Sequence, residues 1–190
     1  MKEFLDIVDE NGQPTGEMID RDTAHAKGVL HRTSHVWLAR RKKGKVQILL
    51  QKRAKHKSSF PGCYDISSAG HIPAGCGFEE SAIRELQEEL GLTEADLDSL
   101  TLRYIVLRSA NGEVRQNYFF FADLKAGAED GLVSAEGQLG WFSPDELSAL
   151  PMPPSARQAI DHWLAEGRYN TRLYGGISRA DSAAFHPMDE

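Results

Sequence analysis

Cysteine is scarce: the 190 residues contain two, Cys63 and Cys76, and two thiols cannot staple a chain of this length into a disulfide framework. A reducing compartment is the default. Both are read as free thiols, because no Cys-x-x-Cys spacing supports a zinc or redox pair. An excess of positive charge is also missing. Lys and Arg number 22 against 28 Asp and Glu, a net charge of −6, so there is no broad electrostatic footprint for nucleic acid or an anionic membrane. No stretch approaches the roughly 18 consecutive apolar residues of a membrane-spanning helix. The acid-rich start, MKEFLDIVDENG, holds no apolar core for a signal peptide. Repeats and low-complexity blocks are absent as well. The expectation is a cytoplasmic protein with neither nucleic acid nor membrane as partner, present as a monomer or homodimer.

What is there has the balance of a globular protein, with 41% hydrophobic and 26% charged residues, enough to bury a core. The length fits one domain, read as residues 1–170, with an N-terminal hairpin extension over 1–30 and a C-terminal tail at 171–190. Phe4 to Val8 and Glu17 to Ile19 flank the Asn11-Gly12 turn signal as a hairpin. Alternation through Ser34, Val36 and Leu38, a basic turn from Arg40 to Lys45, and the apolar run Val46 to Leu50 predict a second. Leu102 to Leu107 and Val114 to Ala122 predict a third, around Asn111-Gly112, and Gln138 to Phe142 reads as a further strand. Tyr118 to Phe121 belongs to the core in this reading. Helices are predicted from Ser143-Pro144-Asp145-Glu146, which has a capping-box pattern with Pro at the first helical position, and over Ser155 to Glu166. Strand hairpins mixed with a few helices give an α+β sandwich rather than a doubly wound sheet.

The chemistry concentrates between Gly70 and Leu92. The second half of this segment is a helix in which Ala82, Leu86 and Leu90 share an apolar stripe, while Glu85, Glu88 and Glu89 fall at i, i+3 and i+4 on a neighbouring face. Like charges at that spacing repel by some tenths of a kcal/mol per pair, so a positive group should compensate. A hard divalent cation fits, since Mg²⁺ prefers oxygen ligands and commonly joins one or two carboxylates to substrate phosphates. A solvated acidic helix face is the bland alternative.

Gly70, Arg84, Glu85, Leu86, Glu88, Glu89, Gly91 and Leu92 stand in the register of the signature of the Nudix hydrolase superfamily, which this segment (70–92) resembles. One position departs: Cys76 stands where that signature has its first Glu. The N-terminal hairpin, His31-Arg32, Gln51-Lys52-Arg53, Phe60-Pro61-Gly62 and Trp141-Phe142-Ser143-Pro144 are similar to the branch related to isopentenyl diphosphate isomerases. The resemblance implies a Nudix-type α/β/α sandwich with a central mixed sheet, the motif forming a loop, helix and loop. It implies Mg²⁺ or Mn²⁺ held by Glu85, Glu88 and Glu89 with help from the Gly70 carbonyl, and hydrolysis of a diphosphate bond in a nucleoside diphosphate linked to another group. Arg84 is expected to orient the glutamates, being permanently protonated, with Glu80, four residues earlier, as its substitute carboxylate in place of the one missing at Cys76.

Lys52, Arg53 and Phe60 are candidate substrate contacts, and Glu136 a candidate general base beside Glu89, Glu129 and Asp130. The isomerases are also similar at His25, His31 and His71, which match metal-binding histidines. Their cysteine is Ala69 here, and the acids before the aromatic strand are replaced by Val114 and Gln116. Protonation of an alkene has no acid to perform it, so isomerisation is not expected, and His25 and His31 are expected as surface or hydrogen-bonded residues. A Nudix nucleotide-binding module without catalysis is the alternative to a hydrolase.

Overall fold

The computed structural model describes residues 2–57, 59–110, 113–135 and 137–165. The expected tail at 171–190 and Glu136 lie outside the described residues. Strands β1 (Phe4–Val8) and β2 (Pro14–Asp20) form an antiparallel pair. Helix α1 (Arg21–Lys27) follows, then β3 (His31–Lys42), β4 (Lys45–Arg53), β5 (Tyr64–Asp65), β6 (Ser68–His71), α2 (Phe78–Leu90), β7 (Leu97–Ala110), β8 (Glu113–Leu124), β9 (Gly137–Phe142), α3 (Pro144–Leu147) and α4 (Pro154–Ala165).

Strand β3 is the spine. Along one edge its second half pairs antiparallel with β4 and its first half with β6, while the other edge runs parallel to β8. Beyond these, β7 continues from β8, and β5 and β9 pair with β4, giving a mixed sheet. Alternation of side chains sorts the sheet into two faces. Trp37 and Ala39 of β3, with Phe119 and Phe121 of β8, pack under Leu147, Ala156, Ala159 and Ile160 of α3 and α4. Val36 and Leu38, with Tyr118, Phe120 and Ala122, pack under Ala82, Leu86 and Leu90 of α2, the stripe predicted from helical spacing. The result is the expected α/β/α sandwich, and Tyr118 to Phe121 are buried as anticipated.

Three local features differ from the sequence reading. Strands β5 and β6 are too short, at two and four residues, to show a periodicity, and β6 makes the motif begin in a strand rather than a loop. The segment Arg40 to Lys42 continues β3, and the turn tightens to Lys43 and Gly44, both at positive φ. Helix α1 interrupts the N-terminal extension: the Asp20 carboxylate accepts from the Thr23 N–H and hydroxyl at its start, and Gly28 at φ 63° ends it.

The N-terminal pair is stitched to the motif. Ala74 N–H donates to the Phe4 carbonyl at 2.9 Å, and Leu5 bridges Pro73. Buried Asp6 accepts from the Gly75 N–H at 3.0 Å and from Arg32 Nη2 at 2.9 Å, so one carboxylate ties the first strand to both the spine and the motif loop. Removing a member of a buried ion pair leaves the other charge uncompensated. Asp6→Ala should therefore lower the unfolding free energy by about 3 kcal/mol, read from denaturant melts; a loss under about 1 kcal/mol would show the stitch to be ornamental.

Candidate functional site

Helix α2 begins at Gly77, whose N–H donates to Glu80 Oε2 at 3.4 Å. That engagement overturns the expected Glu80–Arg84 pair, since Glu80 serves the unsatisfied start of the helix. Arg84 turns the other way. Its Nη2 donates to Glu85 Oε1 at 2.6 Å and to the His71 carbonyl at 3.1 Å, and its Nη1 approaches Glu88 Oε1 at 3.4 Å. The guanidinium thus joins two of the three motif carboxylates to strand β6. Cys76 packs beside Phe78 against the α2 face of the core, an apolar use of the position.

Glu85 is 8% exposed and its carboxylate lies where a Cβ on Gly70 would be, so a side chain at position 70 is excluded by contact. Burial is the first cause that pushes its pKa up to about 7; Arg84 opposes the rise, and Glu89, Glu88 and Glu3 add to it. Glu88 is exposed. Glu89 accepts at Oε2 from Gln51 Nε2 at 3.0 Å, and the same amide nitrogen donates to the Ser67 carbonyl at 2.7 Å. Because Ser67 offers an acceptor, the amide orientation is fixed and its second hydrogen falls to Glu89. The sequence does not single out Gln51 as a site residue, because the contact is made across 38 residues of chain and has no local signal.

A cleft of about 480 Å³ runs beside this cluster, lined on the motif side by Gly70, Arg84, Glu85, Glu88 and Glu89. Lys52, Arg53 and Phe60 line no part of it. Lys52 Nζ sits 5.4 Å from the Tyr64 ring centre, Arg53 donates to Asp65 Oδ2 at 3.1 Å and to the Ser59 carbonyl, and Phe60 is half exposed at φ 48°. The strand end is held by its β5 neighbour and the following loop.

Around His71, which lines another part of the cleft wall, two more histidines gather. His25 Nε2 lies 3.0 Å from His71 Nε2, and the ligand atoms of His25, His31 and His71 all fall within 4.8 Å of one another. His31 is hydrogen-bonded to the Val29 carbonyl, as anticipated, but is fully buried. His71 is pushed down to about 2, first by burial and then by Arg21, His31, His25 and Arg115. Of the β8 residues near this wall, Arg115 lines the cleft, whereas Gln116 turns toward the hairpin, where a Cβ on Gly12 would strike its amide. The alternation of β8 thus makes Arg115, not Gln116, the neighbour of the histidines.

The pKa of Glu85 sets a pH dependence. An unfolded Glu ionises near 4.5 and the native one near 7, so the native state holds the proton longer and loses stability as pH rises through that window. His71 acts oppositely, losing stability as pH falls below 6.5, so the comparison must be between variants. In EDTA, Glu85→Gln should match wild type below pH 4.5 and exceed it by up to about 3 kcal/mol at pH 8. Equal stabilities at pH 8 would place Glu85 in a hydrated setting.

Residues 29–163 match the model of the NUDIX domain. The chain is 35% identical to an uncharacterized Nudix hydrolase of Streptomyces coelicolor over 77% of its own length and 86% of that protein. It is 43% identical to one of Clostridium acetobutylicum over 48% of its length, spanning only 43% of that relative. An isopentenyl-diphosphate Delta-isomerase of Pectobacterium atrosepticum is 38% identical over 52% of each chain. A crystal structure from Deinococcus radiodurans shares the fold with a TM-score of 0.64 at 20% identity, covering 84% of this chain and 98% of that one. The chain belongs to the NUDIX domain family, in the branch that includes similarity to isopentenyl-diphosphate isomerases.

Proposed function

We propose that this protein is a Mg²⁺- or Mn²⁺-dependent pyrophosphohydrolase that cleaves a diphosphate bond in a nucleoside diphosphate linked to another moiety. The observation that carries the reading is the convergence of Glu85, Glu88 and Glu89 beside Gly70, with the Arg84 guanidinium bridging the first two. The donor set is oxygen-only, which suits a hard cation, and burial pushes the pKa of Glu85 up to about 7 with Glu88 and Glu89 adding to the rise, so a cation beside it would relieve both costs. Glu85, Glu88, Glu89 and the Gly70 carbonyl would hold the ion. When bound, it supplies neutralisation of phosphate charge and a bound water of lowered pKa.

The chain's own groups divide the remaining work. Arg84 keeps Glu85 and Glu88 in register with β6 through its donation to the His71 carbonyl. Glu89 accepts from the Gln51 amide, and it is the carboxylate assigned to accept the proton of the attacking water. Glu136 is the other candidate base from the sequence. No covalent intermediate is required, since the trio offers no nucleophile aimed at phosphorus other than water.

A binding module without catalysis is favoured by one observation, the packing of half-buried Cys76 against the core where the family signature has a carboxylate. Isomerisation is disfavoured by another, the cationic Arg115 beside the histidines where an acid is needed. Among the described residues no helix is long and apolar enough to cross a membrane. Turnover should vanish in EDTA and return with excess Mg²⁺ or Mn²⁺ in a screen of nucleoside diphosphate derivatives. Glu88→Gln and Glu89→Gln should each lower kcat at least about tenfold, roughly 1.4 kcal/mol or more, without unfolding. Hydrolysis that survives chelation, or wild-type rates in both variants, would remove the trio from the mechanism.

A further inference from the structure

The family match begins at residue 29, yet the turn that leads into α2 is gripped by residues well before it. Between His71, at the end of β6, and Phe78, at the start of α2, runs the short connection 72–77. Ile72 N–H donates to the Arg32 carbonyl at 3.1 Å, and Cys76 N–H to the Pro73 carbonyl at 3.0 Å, closing a tight turn with Gly75 at φ 78° as its third residue. The N-terminal hairpin holds this turn from outside. Ala74 N–H reaches the Phe4 carbonyl and Gly75 N–H reaches Asp6 Oδ2, which also accepts from Arg32 Nη2. A closed circuit therefore runs from the Arg32 backbone through Ile72 and the turn to Gly75, across Asp6, and back to the Arg32 side chain. Asp6 and Arg32 are both buried, so bulk water does not replace a lost partner.

The circuit sits at the joint that sets α2 against β6. Gly70 lies on β6, and Glu85, Glu88 and Glu89 lie on α2, so the groups assigned to the metal come from both sides of that joint. Their fit has no slack. The Glu85 carboxylate fills the place of a Cβ at Gly70, and Arg84 Nη2 is 3.1 Å from the His71 carbonyl. Apolar contact beneath α2 holds the helix to the sheet but is non-directional, whereas hydrogen bonds at its entry fix its advance along its own axis. At such a site a displacement of about 1 Å costs on the order of a hundredfold in rate. The hairpin also reaches the cleft itself, since Glu3, just ahead of β1, lines it with the motif carboxylates.

We propose that Asp6 is a positioning residue for the metal site: through the Gly75 N–H it fixes the joint between β6 and α2, and with it the place of the Gly70 carbonyl relative to Glu85, Glu88 and Glu89. Resting on the hydrolase reading, the N-terminal hairpin is then part of the catalytic unit although it precedes the family match. Asp6 acts through the turn and not on the substrate.

The test separates this hydrogen bond from the stability of the buried pair. Replacing a buried ion pair by apolar side chains of similar volume is often neutral or stabilising, so the double variant Asp6→Leu with Arg32→Met keeps the chain folded while leaving Gly75 without its acceptor. Mn²⁺ binding to it, followed by the loss of the free-ion paramagnetic signal, should weaken at least about fivefold, and kcat at saturating substrate should fall at least about tenfold. Asp6→Asn does the reverse. Its amide oxygen still accepts from Gly75, so Mn²⁺ affinity and kcat should stay within about twofold of wild type, while Arg32 without its countercharge lowers the denaturant midpoint. Asp9→Ala, which removes the acceptor for the Asn11 and Gln13 N–H groups in the hairpin's own turn, should lower stability and leave affinity and kcat unchanged. Wild-type Mn²⁺ affinity and kcat in the double variant would overturn the proposal, as would a loss in Asp6→Asn or Asp9→Ala equal to that of the double variant. A wild type that binds Mn²⁺ but hydrolyses no nucleoside diphosphate derivative would overturn the hydrolase reading alone, with the variants' Mn²⁺ affinities still deciding the role of Asp6.

Discussion

Burying Glu85 beside two further carboxylates is the constraint around which this structure is arranged. A carboxylate with its pKa raised to about 7 is held in place against its own preference for water. The rest of the site supplies the means: the absent side chain at Gly70 makes room, Arg84 shares its charge between Glu85 and Glu88, and Gln51 fixes Glu89. Helix α2 can present this face because its other face, Ala82, Leu86 and Leu90, is anchored in the core beneath the sheet. Packing stabilises what electrostatics opposes.

The sheet explains how residues distant in sequence meet in one cleft. Strand β3 pairs with β6 on one edge and runs parallel to β8 on the other, so Gly70, His71 and Arg115 line the same space. The N-terminal strand closes it, tied down through Asp6 to Arg32 and Gly75.

How much of this was legible in the sequence depended on range. Helix α2, its apolar stripe and its glutamates were readable because 3.6-residue periodicity is a local property, and β1 matched its predicted bounds at Phe4–Val8. The motif register led to the family, which the match over residues 29–163 bears out. Helix α1 was missed although Asp20 and Gly28 stand at its ends, because seven residues carry too little periodicity. Glu80 was given to Arg84 by spacing alone, when the helix start had the stronger claim on it. His25, His31 and His71 are legible together only through the resemblance to the isomerases, and the contact of Gln51 with Glu89 and the place of Arg115 beside the histidines have no local periodicity to announce them, because they arise from tertiary pairing. Lys52 and Arg53 show the converse, since adjacency to the motif strand gave them no place in the cleft.

The central claim is that the glutamate cluster is a divalent-cation site whose affinity is limited by the proton on Glu85. Mn²⁺ binding to the metal-free protein, followed by the loss of the free-ion paramagnetic signal between pH 5 and 8, tests it directly. Affinity should be full at pH 8 and fall by up to about tenfold per unit below pH 7 as proton and metal compete, with the pH dependence abolished and binding weakened in Glu85→Gln. Mn²⁺ binding that is indifferent to Glu85→Gln but lost in His25→Ala would contradict the account and move the metal to the cluster of His25, His31 and His71.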